Sequence, residues 1–258
     1  MIQYVSPERE PLFWERLPQQ GLFGTKLYSL AQTYGVQDPN HRVNFWLMEE
    51  GGVLGRQGRT LTIAAKQQID PDELVQMLLL QKSDTIEGAP QILQELERWL
   101  GGSLTISWML ESRDPFLAGE ADGTIERADS LTPVYQLLCS ADASFAEKVP
   151  YEGWLVENSY KQRHGLADIW ILKVENKIIS TIGIYEKDRQ NAIIASGATS
   201  PEGRGSGAFR RLLAYAVKQA KAQGLRPCLV AKEEDLMQFY KRQGFVEIGH
   251  WGSWLADA

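Results

Sequence analysis

The residues best suited to chemistry lie in a glycine-rich stretch, Ser200-Pro-Glu-Gly-Arg-Gly-Ser-Gly-Ala-Phe209. It stands where a predicted strand, 191–199, runs into a long predicted amphipathic helix, 205–223. The first turn of a helix has N–H groups without intrahelical partners and a partial positive charge. Because the glycines leave the backbone uncovered and Arg204 adds a charged donor, the stretch predicts a site for a phosphate or another anion.

The sequence of this turn has two other interpretations. A glycine-rich turn between a strand and a helix also occurs as a simple tight turn without a ligand. A dinucleotide-binding turn fits less well, because Arg210 stands where that fingerprint has its third glycine. The next acidic residue after the following strand, Glu233, lies 28 positions beyond Gly205, whereas the fingerprint places it about 20 residues on.

A second stretch with chemical potential is Phe239-Tyr-Lys-Arg-Gln-Gly-Phe245. It ends a predicted helix, 234–243, that follows a predicted strand, 227–231. The phenol of Tyr240 has a reference pKa of about 10, so it is protonated at neutral pH and can donate a proton. Tyr240 is therefore a candidate general acid.

The charge pattern fits two interpretations, an anionic ligand and a solvated basic helix face. The chain has a formal net charge of −6. Residues 198–245 contain nine Lys/Arg and four Asp/Glu, so this segment is +5 and the remainder is −11. A local positive field in an acidic protein favours a small polyanion over nucleic acid, and no interleaving of aromatic and basic residues suggests a nucleic-acid surface.

Taken together, the two stretches resemble the signatures of the GNAT N-acetyltransferase superfamily. Arg204 and Gly207 fall on the family's Arg/Gln-x-x-Gly-x-Gly/Ala motif, and Tyr240 stands four residues before Gly-Phe, as in its second signature. The predicted order of elements from Gly123 onward is also similar to that of the family. The strand 228–231 lies where the family has a strand that splays from its neighbour.

The resemblance implies that acetyl-CoA is the cosubstrate and that a primary amine attacks it directly in a ternary complex. The backbone of Ala198 and Thr199 would pair with the pantetheine arm, and Tyr240 would protonate the departing thiolate. The pyrophosphate would be held by the residues of the turn: Arg204, Gly205, Ser206, Gly207, Ala208 and Phe209.

Some positions depart from the family pattern. Phe209 replaces the last small residue of the phosphate motif, and Glu233 and Leu236 replace the Asn and Ala that usually precede the tyrosine. No carboxylate occurs at 193–196, where the family often has a base. Deprotonating an alkyl ammonium at neutral pH costs about 4 kcal/mol, so we expect a water-mediated path, with Glu186 as the candidate base. These departures keep a non-catalytic CoA-binding or regulatory module as the alternative function.

The predicted fold class is α/β (α+β): a GNAT fold with a central mixed, mostly antiparallel sheet flanked by helices. The predicted domains are a smaller α/β N-terminal domain, 1–120, and an acetyltransferase domain, 121–258. The N-terminal elements follow the same order, which suggests a degenerate GNAT-like repeat, with an unrelated α/β cap as the alternative. Its counterpart of the phosphate turn, Lys66–Asp72, contains no glycine, and Pro71 lacks an N–H. We therefore expect no CoA site there.

Composition limits the remaining classes. The 43% hydrophobic and 23% charged residues are typical of a globular protein, and no apolar run approaches the length of a membrane span. The two distant cysteines and the absence of a signal sequence favour the cytoplasm. The three isolated histidines predict no metal site. The expected partner is a small-molecule or peptide amine, with no nucleic acid or membrane, and a homodimer stays open.

Overall fold

The structure is a computed structural model that describes residues 1–66, 70–113 and 121–257. The strands are β1 (Ile2–Tyr4), β2 (Val43–Met48), β3 (Val53–Gln57), β4 (Thr60–Ala64), β5 (Thr85–Gly88), β6 (Ser103–Ser112), β7 (Thr124–Arg127), β8 (Asp168–Val174), β9 (Lys177–Lys187), β10 (Asn191–Thr199), β11 (Arg226–Ala231) and β12 (Phe245–Leu255). The helices are α1 (Glu10–Arg16), α2 (Gly21–Tyr34), α3 (Pro71–Gln81), α4 (Pro90–Leu100), α5 (Thr132–Ala141), α6 (Phe145–Lys148), α7 (Tyr151–Arg163), α8 (Ala208–Ala222) and α9 (Glu234–Arg242).

The chain forms two compact units that are not consecutive segments. The first comprises Met1–Leu110, Val230–Gln238 and Glu247–Ala258, and the second comprises Glu111–Leu229 and Phe239–Val246. C-terminal residues belong to the first unit because β12 pairs antiparallel with β5. The domain division predicted after residue 120 falls at the end of residues 114–120, which lie outside the described residues.

The sheet of the first unit has the order β1-β2-β3-β4-β5-β12-β6. The strands β1 to β4 are antiparallel neighbours, whereas β4 and β5 are parallel. Its core contains buried aliphatic and aromatic side chains from the sheet, from α3 and from α4. Strands β2, β3 and β4 thus form an antiparallel meander.

The start of α3 is occupied by the protein's own acids. Asp70 accepts a hydrogen bond from the N–H of Asp72, and Pro71 takes the first helical position. Asp72 and Glu73 lie in the first turn, and Glu73 accepts from the N–H of Ile2. Residues 67–69 of the predicted non-binding turn lie outside the described part of the chain.

The sheet of the second unit has the order β11-β10-β9-β8-β7, with β10 and β11 parallel and the other pairs antiparallel. Ile169 and Ile171 pack in a core with α5 and α7. Trp170, between them, contacts Tyr215 of α8, with ring centroids 5.7 Å apart. Because side chains alternate along a strand, α8 covers the opposite face of this sheet.

The two halves of the chain repeat one order of elements. β2-β3-β4-α3-β5-α4 in the first half corresponds to β8-β9-β10-α8-β11-α9 in the second. In both halves the parallel pair of strands matches over only three residues. A search of the described residues finds no helix with the length and apolarity of a membrane span.

Candidate functional site

The site is built at a gap between two strands. β10 and β11 pair only at Asn191–Arg226, Ala192–Pro227 and Ile193–Cys228. β10 then continues to Thr199. Ala195 and Gly197 are exposed although they lie within the strand. The two strands therefore separate beyond Ile193, as the resemblance predicts, and this edge of β10 is left open.

A β-bulge reshapes β10 at this open edge. Ala195 lies opposite Gly183 and Ala198 lies opposite Thr181, so β10 has one residue more than β9 between these two pairs. Ser196 takes the left-handed conformation at φ 49°. Such a bulge bends the strand and redirects its backbone groups.

Backbone direction distinguishes the two residues predicted to pair with pantetheine. The N–H of Ser200 donates to the carbonyl of Ile179 on β9 at 2.8 Å, and Ser180 Oγ donates to the carbonyl of Ala198 at 2.9 Å. Backbone groups alternate along an antiparallel edge. Ala198 is therefore directed to β9, whereas the N–H and C=O of Thr199 point into the gap.

The glycine-rich turn leaves several N–H groups free. Ser206 Oγ donates to the carbonyl of Gly203 at 2.7 Å and accepts from the N–H of Ala208 at 3.3 Å. The helix α8 begins at Ala208 rather than at the predicted Gly205, because Gly205 and Gly207 have φ of 77° and 82°. Within the described part of the chain, no hydrogen bond is made by the N–H groups of Gly205, Gly207, Phe209 and Arg210.

The turn is held close to the sheet by packing. A Cβ at Gly203 would lie 3.1 Å from Thr199 and 3.2 Å from Ile179. Arg211 donates to the carbonyls of Ala121 and Gly123 at 2.6 and 2.8 Å. Its guanidinium therefore binds the backbone of the segment before β7. Arg204 is exposed and can reach a ligand at the turn.

Tyr240 is brought to the same place by aromatic packing. Its ring centroid lies 6.5 Å from that of Phe209 and 5.6 Å from that of Phe245, and the ring of Phe209 lies over Gly197 of β10. Burial raises the pKa of Tyr240 to about 12. At this pKa the phenol stays protonated at neutral pH and can donate to a ligand.

Glu186 lies farther along the sheet than the other predicted site residues. Its partner on β10 is Ile193, the last residue that pairs with β11. Ser196 follows three positions later, about 10 Å away at 3.3 Å per residue. A proton path from the bulge to this carboxylate would need intervening water, and its role as the base stays a prediction.

Tyr185 is a further residue near the site that no sequence motif predicts. It is the extra residue of β9 at a second register shift, between the pairs Ile193–Glu186 and Ile194–Ile184. It is buried in the core that also contains Ala198. A tyrosine in a mostly buried strand is typical of core packing. The bulge at Tyr185 has no local sequence pattern that predicts it.

A cavity of about 790 Å³ lies elsewhere in the second unit and shares Gly203 and Ser206 with the turn. Neither Phe209 nor Tyr240 lines it. Its lining carries three carboxylates against two cations, and the guanidinium of Arg211 is already bound to backbone carbonyls, so the lining disfavours an anion: Asp122, Glu175, Glu202, Lys177 and Arg211. We therefore place the candidate site at the gap in β10. Among the described residues, no cluster of His, Cys, Asp and Glu could hold a metal ion.

Comparison with known proteins concerns the family and the fold. The family model "Acetyltransferase (GNAT) family" matches residues 131–245. No protein of curated function matches the chain. Among solved structures, the chain resembles a GCN5-related N-acetyltransferase from Kribbella flavida, with 14% identity, a TM-score of 0.65, and coverage of 93% of this chain and 95% of that one.

Two further structures match over almost the whole chain. A tandem GNAT protein from the clavulanic acid biosynthesis pathway has 12% identity and a TM-score of 0.60, with 99% and 98% of the two chains covered. A GNAT-family acetyltransferase from Colwellia psychrerythraea has 15% identity and a TM-score of 0.55, with both chains fully covered. At these identities the likeness shows the fold alone.

The fold and the open strand edge thus define a mixed α/β protein of GNAT architecture, as the sequence predicts. The part of the chain from residue 131 to residue 245 belongs to the GNAT acetyltransferase family. The chain as a whole shares its fold with a tandem GNAT protein, and this agrees with the repeated order of elements.

Proposed function

We propose that the second unit binds acetyl-CoA and transfers its acetyl group to a primary amine. The observation that carries this proposal is the gap beside β10, which ends at a turn with four free N–H groups. The outward backbone of Thr199 suits the amide groups of a pantetheine arm, because an extended arm can pair with an open strand edge. The N–H groups at the start of α8, with Arg204, suit a pyrophosphate.

The proposed reaction is a direct transfer. The neutral amine nitrogen attacks the thioester carbon, and a tetrahedral intermediate forms. Its collapse breaks the carbon–sulfur bond, and the phenol of Tyr240 gives its proton to the departing sulfur. The excess proton on nitrogen leaves through water, with Glu186 as the proposed final acceptor.

The surroundings of Tyr240 support its role as the acid. A carboxylate or imidazole would be largely ionised or variably charged near neutral pH, whereas a phenol whose pKa is raised to about 12 stays protonated. Aromatic rings on several sides exclude water and fix the direction of the ring. The proposed acceptor is a small-molecule or peptide amine.

The alternative function is a non-catalytic CoA-binding or regulatory module. It is favoured by the absence of a carboxylate on β10 between Ile193 and Ser196, and by Phe209, whose ring covers Gly197. A module of this kind would bind acetyl-CoA without consuming it. Catalysis and regulation are therefore separated by measuring binding and turnover on the same preparation.

The test combines thermal melts with detection of free thiol. A ligand that binds only the folded protein stabilises it by about 2.7 kcal/mol at a hundredfold excess over Kd, so acetyl-CoA should raise Tm. NAD⁺ is the control ligand, because a shift with NAD⁺ alone would favour the dinucleotide-binding interpretation. Release of free CoA with a panel of primary amines would then establish turnover. No shift at millimolar acetyl-CoA would contradict the proposal, and a shift without thiol release would favour the module.

A further inference from the structure

Tyr185 has a buried hydroxyl group without a hydrogen bond. The residue is 8% exposed, and its hydroxyl oxygen has no partner among the described residues. Burying a polar group in this way lowers stability. Each unpaired group of this kind in a folded protein calls for an explanation.

The surrounding core pairs its other hydroxyl groups. Tyr135, in the same cluster, donates to the carbonyl of Val149 at 2.7 Å. On β9, Ser180 donates to the carbonyl of Ala198 at 2.9 Å, and Thr181 donates to the carbonyl of Trp170 at 3.1 Å. Tyr185 thus differs from these neighbours.

The position of Tyr185 connects it with the open edge of β10. It is the extra residue of β9 at one register shift, and Ser196 lies in the bulge of β10 at the next. The side chain of Ser196 interacts with the phenol of Tyr185 without completing a hydrogen bond. A change of the Ser196 rotamer can bring its hydroxyl within hydrogen-bonding distance of the phenol.

The chemistry of Tyr185 restricts what it can do. Burial raises its pKa well above the usual range, although the interaction with Ser196 opposes the shift. The phenol therefore stays protonated and cannot take a proton from an amine. It can still donate or accept a hydrogen bond, and Ser196 is the polar side chain that it faces.

We propose that Tyr185 is a positioning residue, which donates to Ser196 Oγ when substrates bind and so fixes the bulge of β10. Ser196 Oγ keeps one lone pair for an N–H of the acceptor amine. That contact turns the nitrogen lone pair toward the thioester carbon. This inference rests on the proposed acetyl transfer and assigns Ser196 to the acceptor side of the gap.

The experiment compares Tyr185→Phe, Ser196→Ala and the double variant with the unchanged protein. Free thiol release from acetyl-CoA is measured with the amine of the panel that reacts fastest, and with water alone. Each single variant should release thiol at least about 10-fold more slowly, with Kd for acetyl-CoA unchanged within about twofold. The double variant should be no slower than Ser196→Ala, because Tyr185 acts only through Ser196.

Stability distinguishes positioning from a structural role. Tyr185→Phe removes a buried unpaired hydroxyl, so its Tm should be unchanged or higher while its rate falls. Tyr135→Phe is the matched control, because it removes a satisfied hydroxyl from the same core. Its Tm should fall, and its rate should stay unchanged at temperatures where it is folded.

The outcomes are separable. Equal rates in Tyr185→Phe and the unchanged protein would overturn the inference and leave the proposed function standing. A Tyr185→Phe variant that loses rate and Tm together would assign the tyrosine a structural role and would also overturn it. If the unchanged protein neither binds nor consumes acetyl-CoA, the proposed function fails and the inference fails with it.

Discussion

Phe209 lies over Gly197 so closely that a Cβ at position 197 would come within 2.4 Å of its ring. This contact fastens the first turn of α8 to the open edge of β10. The centroid of the Phe209 ring is also 6.5 Å from that of Tyr240. The helix start, the strand edge and the candidate acid are therefore joined through one aromatic side chain.

The first prediction concerns the acid. Tyr240→Phe keeps the ring and removes the proton, so kcat should fall by roughly 100-fold or more, the usual scale for a lost proton donor. Kd for acetyl-CoA should change little. Tyr215→Phe is the control, because that tyrosine packs on Trp170. An unchanged kcat in Tyr240→Phe, measured where chemistry limits the rate, would exclude the role.

The second prediction follows from the pKa of Tyr240, which burial raises to about 12. The active form of an acid is the protonated one, so a raised pKa extends activity toward higher pH. We expect no alkaline loss of kcat attributable to Tyr240 between about pH 7 and 10.5. The prediction would be contradicted if kcat declined with a midpoint near pH 10 while circular dichroism showed the fold intact. The same decline must be absent in Tyr240→Phe.

The third prediction tests the anion site. Gly207 has φ 82° at the start of α8, and Gly224 has φ 74° just beyond its end. Valine at either position should cost about 1–3 kcal/mol of stability through backbone strain. Only Gly207→Val should abolish the rise in Tm with acetyl-CoA, since its side chain covers the free N–H groups. Equal thermal shifts in the two variants would move the ligand away from this turn.

The fourth prediction concerns stoichiometry. The first turn of α3 carries Asp72 and Glu73, and the side chain of Asp70 already accepts one of its N–H groups. Negative charge at a helix N-terminus disfavours a second anion. Isothermal titration should therefore give one acetyl-CoA per chain, and none in Gly207→Val. Two sites per chain would show that the repeat in the first unit has kept its ligand.

The fifth prediction concerns acid stability in the first unit. Asp38 accepts from the guanidinium and the N–H of Arg42, and these bonds lower its pKa to about 2. A lowered pKa gives stability that is present above about pH 4 and lost as the pH falls toward 2. Asp38→Asn should cost about 1–2 kcal/mol at pH 7, a value reduced because Arg42 is half exposed.

Urea unfolding at pH 7 and pH 3 measures this effect, and the difference between variant and unchanged protein should shrink at pH 3. Asp84→Asn is the control, because its partner Arg59 is largely exposed. An exposed pair contributes about 0–1 kcal/mol. An Asp38→Asn variant as stable as the unchanged protein at pH 7 would show that the pair adds nothing.

The order of elements in the second unit and its glycine-rich turn can be predicted from the sequence. Glycines at 203, 205 and 207 define where a strand can pass into a helix, because they alone accept the backbone conformations and close approaches found there. The apolar run of β8 and the helical period of α8 are local properties of the chain. The spacing of Tyr240 from Gly244-Phe245 likewise predicts its role from the sequence.

The spatial neighbours of the site residues follow from the tertiary structure and not from local sequence. The pairing of β12 with β5 depends on residues more than 150 positions apart, and no local pattern encodes such a choice. The bulges at Tyr185 and Ser196 arise from the register between strands, which is a relation between two segments. The sequence cannot predict that the hydroxyl of Tyr185 is unpaired. Whether a buried group finds a hydrogen-bond partner depends on the tertiary contacts around it.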